Sequence, residues 1–395
     1  MLDNIDASTL SNGLVKIGIE VEKLRLDRQG RVSRKQFPTT LTPNFRRYVG
    51  REYFEAQIEF ALPPQTDAQA NVDQANQVIR AVAAQLAPDE QLWSYSCPPA
   101  LLNQGRDELI STIPEGTNAY RQALKRIYDV RRIMNNGVHL NISLSKIALK
   151  RLMRITDFHN PDALYLHIAQ QFMVSQWVLT YLFGATPICF SGYLDNQELI
   201  HPVRSIRRSR LGFPTSIEGN YRSVTDYVKQ IEAAVAEGRL LRANQYYEPV
   251  RCKSSLGKAP EHLLKNGISH LELRTFDLNP TTVCGVTSHQ LRLISLLTVF
   301  FAMQPPLRDQ AFQAQMIKTR QLSDRIAAED PRQNSVCRQR GLALMARLGA
   351  FAQAHHYSTD YQRSLQHFAE DFADSQHTLA YQVWRRRSRL TEAVV

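Results

Sequence analysis

Ile17-Gly-Ile-Glu-Val-Glu22 has a period of two. Ile17, Ile19 and Val21 fall on one side of an extended chain and Glu20 and Glu22 on the other, because residues i and i+2 of a strand share a face about 6.6 Å apart. Three more stretches repeat the pattern. In 54–60, Phe54, Ala56, Ile58 and Phe60 oppose Glu55, Gln57 and Glu59. In 138–144, Val138, Leu140, Ile142 and Leu144 oppose His139, Asn141 and Ser143; in 269–275, Leu271 and Leu273 oppose His270, Glu272 and Arg274. An antiparallel strand with one face in water shows the same alternation. A solvated face, however, normally mixes Lys, Thr, Ser and Arg, whereas these faces are dominated by Glu with His and Arg, and none carries Lys.

Unpaired carboxylates about 4 Å apart repel by roughly 1–4 kcal/mol per pair. Gathering several on one sheet makes sense if cations sit between them, and Mg²⁺ and Mn²⁺ both take carboxylate oxygens. The pattern points to a metal-and-phosphate site and names no reaction.

Outside these strands the chain is ordinary. Its 395 residues suit two domains, or one large domain with additions. Hydrophobic residues at 43% and charged ones at 22% exclude wholesale disorder, and 17 Gly and 18 Pro exclude collagen-like and low-complexity classes. Lys and Arg number 48 against 37 Asp and Glu, leaving +11. That balance favours an anionic partner: nucleic acid, a membrane surface, or a phosphorylated or carboxylated small molecule. The five cysteines (Cys97, Cys189, Cys252, Cys284, Cys337) are widely spaced without a Cys-x-x-Cys pair. They form neither a disulfide framework nor a zinc site and fit reduced thiols in a cytoplasm. The start, MLDNIDASTL, lacks a signal peptide's basic and apolar regions. The apolar stretch 163–183 carries His167, Gln170, Gln171 and Gln176, so a buried helix is expected there and not a membrane span.

No repeat or low-complexity linker divides the chain. Helices are expected at 68–86, 117–134 and 161–183, the last stopped by Gly184. Ser223 with Asp226 signals a cap before a helix ending near Gly238. From Thr287 onward the pattern is helical: 288–303, 307–328, 338–355 and 364 to about 389. The expected fold is α+β, with a catalytic body over 1–303 and a helical C-terminal extension over 304–395 packed on it.

Several segments together resemble glutamate–cysteine ligase. They are Gly18-Ile-Glu-Val-Glu-Lys-Leu-Arg25, Glu55-Ala-Gln-Ile-Glu-Phe60, Tyr120-Arg121 and Gly137-Val-His-Leu-Asn-Ile-Ser-Leu144. Tyr181-Leu-Phe-Gly-Ala-Thr-Pro187, Tyr247-Glu-Pro-Val-Arg251 and Gly267-Ile-Ser-His-Leu-Glu-Leu-Arg-Thr-Phe-Asp-Leu-Asn-Pro280 complete the set, in the family's order. The resemblance implies a fold related to the glutamine synthetase catalytic domain. There a curved antiparallel sheet forms a funnel, with metals and ATP phosphates on its inner face and helices outside.

Carried over by position, Glu20, Glu22, Glu59, His139 and Glu272 match the family's metal-binding residues. Without the resemblance His139 reads as a satisfied strand histidine. Arg121 and Arg274 match residues that contact the transferred phosphoryl group, where a guanidinium fork suits phosphate oxygens; Arg121 alone reads as an exposed helix residue beside Lys125. Arg207, within residues 204–210 (Arg-Ser-Ile-Arg-Arg-Ser-Arg), matches a residue holding a substrate carboxylate, and alone the run reads as a solvated loop or nucleic-acid patch. Tyr120, Phe213 and Tyr247 match the pocket around the cysteine substrate; aromatics alone read as core.

The implied reaction phosphorylates the glutamate γ-carboxylate with ATP and passes the acyl group to the cysteine amine. It uses Mg²⁺ or Mn²⁺, needs no enzyme nucleophile, and has ATP, L-glutamate and L-cysteine as partners, with no nucleic acid and no membrane. A lid is expected around 191–215. Phe213 stands where enterobacterial-type members have tyrosine, which admits a sister ligase using an amine other than cysteine. The chain is shorter than those members and no second ATP-binding domain follows, so a fused glutathione synthase is not expected. A basic nucleic-acid-binding protein is the alternative of a different class, motivated by 204–210 and by 385–389 (Arg-Arg-Arg-Ser-Arg). The aromatics are not interleaved with those basic runs in an RNA-binding pattern. A member that has lost activity would not be expected to keep all five metal matches.

Overall fold

The computed structural model describes residues 13–101, 117–194, 199–212 and 217–387. The alternating stretches become strands of one open antiparallel sheet. Its members are β1 (Val15–Leu26), β2 (Val49–Arg51), β3 (Gln57–Ala61), β4 (Gln91–Leu92), β5 (Val138–Leu144), β6 (Val250–Lys253) and β7 (His270–Phe276). The order is β2-β3-β1-β5-β7-β6, with β4 paired to β1 off this path, and every pairing is antiparallel.

Parity sets the two faces. Ile17, Ile19, Val21, Ile58, Phe60, Val138, Leu140, Ile142, Leu271 and Leu273 are buried in one core. Helices Ala68–Ala83 and Ser288–Ala302 pack on β1, and Pro161–Val174 packs on β6 and β7. Fully burying such a side chain stabilises by about 1.5–3 kcal/mol. A one-residue slip would exchange these for Glu20, Glu22 and His139, so the register is strongly specified. The same core runs on into the C-terminal helices, through Phe312, Leu348, Leu365 and Phe372. Among the described residues no helix is long and apolar enough to cross a membrane.

Several boundaries differ from expectation, each for a local reason. The helix expected at 161–183 breaks at Ser175 (φ −111°, ψ 8°), whose N–H donates to the Phe172 carbonyl, giving Pro161–Val174 and Gln176–Phe183. The segment 117–134 divides into Thr117–Ile127 and Val130–Ile133. The last expected helix begins earlier, as Thr359–Ala373, and resumes only at Leu379–Arg385. Between them the Asp374 side chain accepts from Gln376 N–H, and Thr378 caps the next helix by accepting from Tyr381 N–H. Such side-chain bonds compete with the helical ladder. In 54–60 the strand starts only at Gln57, because Gln57 N–H donates 3.0 Å to the Phe54 carbonyl and closes a turn over Glu55 and Ala56. Glu55 therefore leaves the acidic face: its Oε2 accepts from Phe37 N–H at 2.6 Å.

Candidate active site

The face opposite the core helices lines a cavity of about 430 Å³. Register brings its charges together. Glu22 pairs with Glu59, Glu20 with His139, and Glu272 with Arg251 across adjacent strands. His139 is the hub. Its Nδ1 lies 3.7 Å from Glu20 Oε2 and 3.8 Å from Glu272 Oε1, and its Nε2 lies 3.8 Å from Glu22 Oε1. That Nε2 is buried without a hydrogen-bond partner. Glu20, His139 and Glu272 each offer one ligand atom, all within 4.8 Å of one another. Two carboxylate oxygens and an imidazole nitrogen this close together suit a divalent cation such as Mg²⁺ or Mn²⁺.

Burial and neighbours divide the carboxylates. Glu59 is pushed up to about 8 by burial and then by Glu52 and Glu20. Glu52 is pushed up to about 7 by burial and then by Glu22. Glu22 is raised by burial, against the pull of Arg207 and Arg274. Burial works the same way on Glu272 but is outweighed: Arg274 Nη1 at 2.9 Å, Arg251 Nε at 3.8 Å and Lys253 Nζ at 3.1 Å hold it well below the usual carboxylate range. Burial also pushes Glu20 up, but the nearby His139 and a 2.8 Å hydrogen bond from Asn141 Nδ2 leave it lowered. His139 is driven down to about 4 by burial and by Arg274, which keeps the imidazole neutral, the form that ligates metal.

The remaining expected residues converge on the same cavity. Arg121 projects from the helix Thr117–Ile127, buried, and Arg207 enters from the loop before 212. Arg207 Nη1 donates to the Arg274 and Phe276 carbonyls at 3.1 and 3.2 Å. Gly137 makes room for it, since a Cβ there would stand 2.3 Å from the guanidinium. Tyr120 lies under Arg242, at 4.9 Å from guanidinium to ring, and Tyr247 faces Arg274 at 6.0 Å. Thus Glu20, Glu22, Glu59, His139, Glu272, Arg121, Arg274, Arg207, Tyr120 and Tyr247 all line one cavity. Phe213 lies outside the described residues, as do 195–198 and 213–216 of the expected lid.

The basic run 204–210 is not a solvated patch. Arg204 is fully buried, donating from Nε to Glu329 at 3.0 Å and from Nη2 to the Gln333 carbonyl at 2.7 Å. Arg207 and Arg208 line the cavity, and only Arg210 is exposed. Of 385–389, residues 388 and 389 lie outside the described ones.

Sequence reasoning missed Glu52, Arg132, Asn135, Arg242, Arg251, Lys253 and Lys258 on the cavity wall. For two of them the signal was present: Val250-Arg-Cys-Lys253 repeats the period of two, with Val250 and Cys252 buried and Arg251 and Lys253 half-buried. Glu52 sits between β2 and β3, where no periodicity marks it.

The family model for glutamate–cysteine ligase matches residues 2–240 and 237–323. Two curated relatives are the glutathione biosynthesis bifunctional proteins GshAB of Streptococcus agalactiae and Streptococcus thermophilus. The first is 33% identical over 288 residues, 71% of this chain and 38% of that protein. The second is 30% identical over 380 residues, 93% of this chain and 49% of that protein. The chain thus spans less than half the length of these relatives. Among solved structures, a glutamate–cysteine ligase from Francisella tularensis in complex with AMP superposes with a TM-score of 0.86 at 18% identity, over 95% of this chain and 85% of that one. A bifunctional glutathione synthetase from Pasteurella multocida superposes with a TM-score of 0.82 at 22% identity, over 96% of this chain and 49% of that one. These superpositions show the shared fold.

Proposed function

This chain belongs to the glutamate–cysteine ligase family, and we propose that it joins the γ-carboxylate of L-glutamate to the amine of L-cysteine with ATP. The products are γ-glutamylcysteine, ADP and phosphate, and the reaction is the first step of glutathione biosynthesis. The observation that carries this reading is the donor set Glu20, His139 and Glu272, bordered directly by Arg274, in one cavity wall.

A γ-carboxylate oxygen attacks the ATP γ-phosphorus, and the bond to the β-phosphate oxygen breaks to release ADP. The resulting acyl phosphate is attacked by the cysteine amine, which loses a proton as the amide forms and phosphate leaves. Mg²⁺ or Mn²⁺, held by Glu20, Glu22, Glu59, His139 and Glu272, would supply positive charge to the phosphoryl oxygens. Arg274 and Arg121 hold the transferring group as fixed donors in a partly dry site. Arg207 takes a glutamate carboxylate, and Tyr120, Tyr247 and Phe213 form the acceptor pocket. The chemistry requires no enzyme nucleophile, and none of the five cysteines is among the lining residues.

The test is phosphate release by the purified chain with ATP, Mg²⁺ and L-glutamate, with and without L-cysteine, with products identified by mass. Cysteine-dependent γ-glutamylcysteine is expected. Turnover only with another amine would replace cysteine as the acceptor, and no turnover with any amine would overturn the reading.

A further inference from the structure

The segment that carries Tyr247 is fastened to a helix through a residue 72 positions further along the chain. Glu248 is fully buried, and Arg320 of the helix Asp309–Ala328 grips both its oxygens from Nη2, at 2.9 and 3.0 Å. Arg320 Nη1 reaches on to Glu218 at 3.1 Å. On either side of Glu248, Tyr247 and Pro249 line the cavity, and the Pro249 carbonyl accepts from Arg274 N–H at 2.9 Å. A carboxylate buried this deeply is costly without its partner, so Arg320 stabilises the backbone at 247–249 in place beside the Pro249–Arg274 bond. The end of the same helix fastens a second lining segment: the Ala327 carbonyl accepts from Arg204 and Ser205 N–H at 3.0 and 3.1 Å, three residues before Arg207.

We propose that Arg320 is a positioning residue of the active site. Through Glu248 it fixes Tyr247 and Pro249 against the cavity, so that the C-terminal helix Asp309–Ala328 sets the affinity for the acceptor amino acid. The acceptor assignment rests on the function proposed above; the clamp itself does not.

The experiment compares the full-length chain with R320M, E248Q and R320K by hydrogen exchange and by steady-state kinetics. In R320M, amides of 246–252 should exchange about tenfold faster while those of β1 and β5 keep their protection, the signature of local opening. The KM for cysteine should rise about tenfold with kcat and the KM for ATP within about twofold, which separates positioning from chemistry. E248Q should move both readouts in the same direction, and R320K, which keeps the charge, should recover most of the protection and of the KM. Unchanged exchange at 246–252 in R320M would overturn the clamp. So would faster exchange throughout the chain with all KM values raised together, which is a general loss of stability. If the wild type forms no γ-glutamylcysteine, the proposed function fails by that result alone, and local exchange still decides the clamp.

Discussion

Glu59 and Glu22 on β3 and β1, half-buried, and Glu272 on β7, buried, stand on one face of one sheet, yet their proton affinities move in opposite directions. Glu59 rises to about 8 because burial is reinforced by the charges of Glu52, Glu20 and Glu22, with Lys258 as the counterweight. Glu272 falls because Arg274, Arg251 and Lys253 surround it. Burial favours the neutral carboxyl in both places, and the neighbours decide which one actually stays neutral. The β1–β3 half of the wall gathers carboxyls that burial and mutual repulsion hold towards the neutral form, and a divalent cation between them would draw them into the charged form that ligates it. The β6–β7 half has cations to spare, suited to meet phosphate oxygens. His139 lies between them, within 3.8 Å of Glu22 on one side and Glu272 on the other.

Breaking the junction should cost most. Glu272→Gln removes a ligand atom from the His139 group and leaves Arg274, Arg251 and Lys253 without their shared counter-charge. Turnover should fall by more than about 100-fold, beyond the roughly 10–100-fold that disturbing the surroundings of a metal site costs. Affinity for Mn²⁺, measured by titration, should weaken with it, and wild-type turnover in this variant would remove Glu272 from the metal set. Arg274→Ala breaks only the cationic half. It should lower kcat by about 10²–10³-fold, as losing one transition-state donor does, with a smaller change in the KM for glutamate. A change confined to KM would place Arg274 in substrate binding instead.

The carboxylate half can be tested without turnover, by stability against pH in the metal-free protein. Glu59 and Glu52 have folded-state values of about 8 and about 7, above the 4.5 of the unfolded chain. Between those limits the native state binds more protons than the unfolded one, so stability is full below about 4.5 and is lost as pH rises through 7 and 8. Each kcal/mol lost should lower the melting temperature by roughly 1 °C for a chain of this size. Glu59→Gln should flatten this fall, and Mg²⁺ should restore stability most at the alkaline end. A melting temperature indifferent to both pH and Mg²⁺ would mean that the acidic half does not gather cations.

How much of this was legible in sequence depends on how local each cause is. The strands of the acidic wall could be read because period-two burial is written residue by residue in Ile17 to Glu22, and the register then followed from the same apolar set. Strand β6, at four residues, is too short for periodicity to stand out, so Arg251 and Lys253 went unread as wall residues. Arg204 and Arg207 sit in one run and have different fates. Glu329 and Gln333 draw Arg204 into the C-terminal helices, and those partners lie more than a hundred residues away. The roles of Arg121 and Tyr120 came from the family resemblance, since neither helix position carries a signal of its own.

Glu55 is where parity misled, and it provides the smallest and most discriminating test of the comparison. It alternates correctly with Gln57 and Glu59, yet the turn closed by Gln57 N–H and the Phe54 carbonyl swings it off the wall. There it is 2% exposed, accepting from Phe37 N–H at 2.6 Å and facing Arg51 at 3.5 Å. Its carboxylate serves the fold at the entrance to β3, and Glu55 is not among the residues lining the cavity. Glu55→Gln keeps the shape and one acceptor oxygen but loses the charge, so it should cost about 1.5–3 kcal/mol in denaturant stability, the range for a hydrogen bond to a charged group. Turnover measured well below the melting temperature should stay within about twofold of wild type, since no group at the reacting atoms has moved. A loss of turnover on the scale of Glu272→Gln, with stability unchanged, would return Glu55 to the acidic face and make the turn at Phe54 a feature of only one state of the protein.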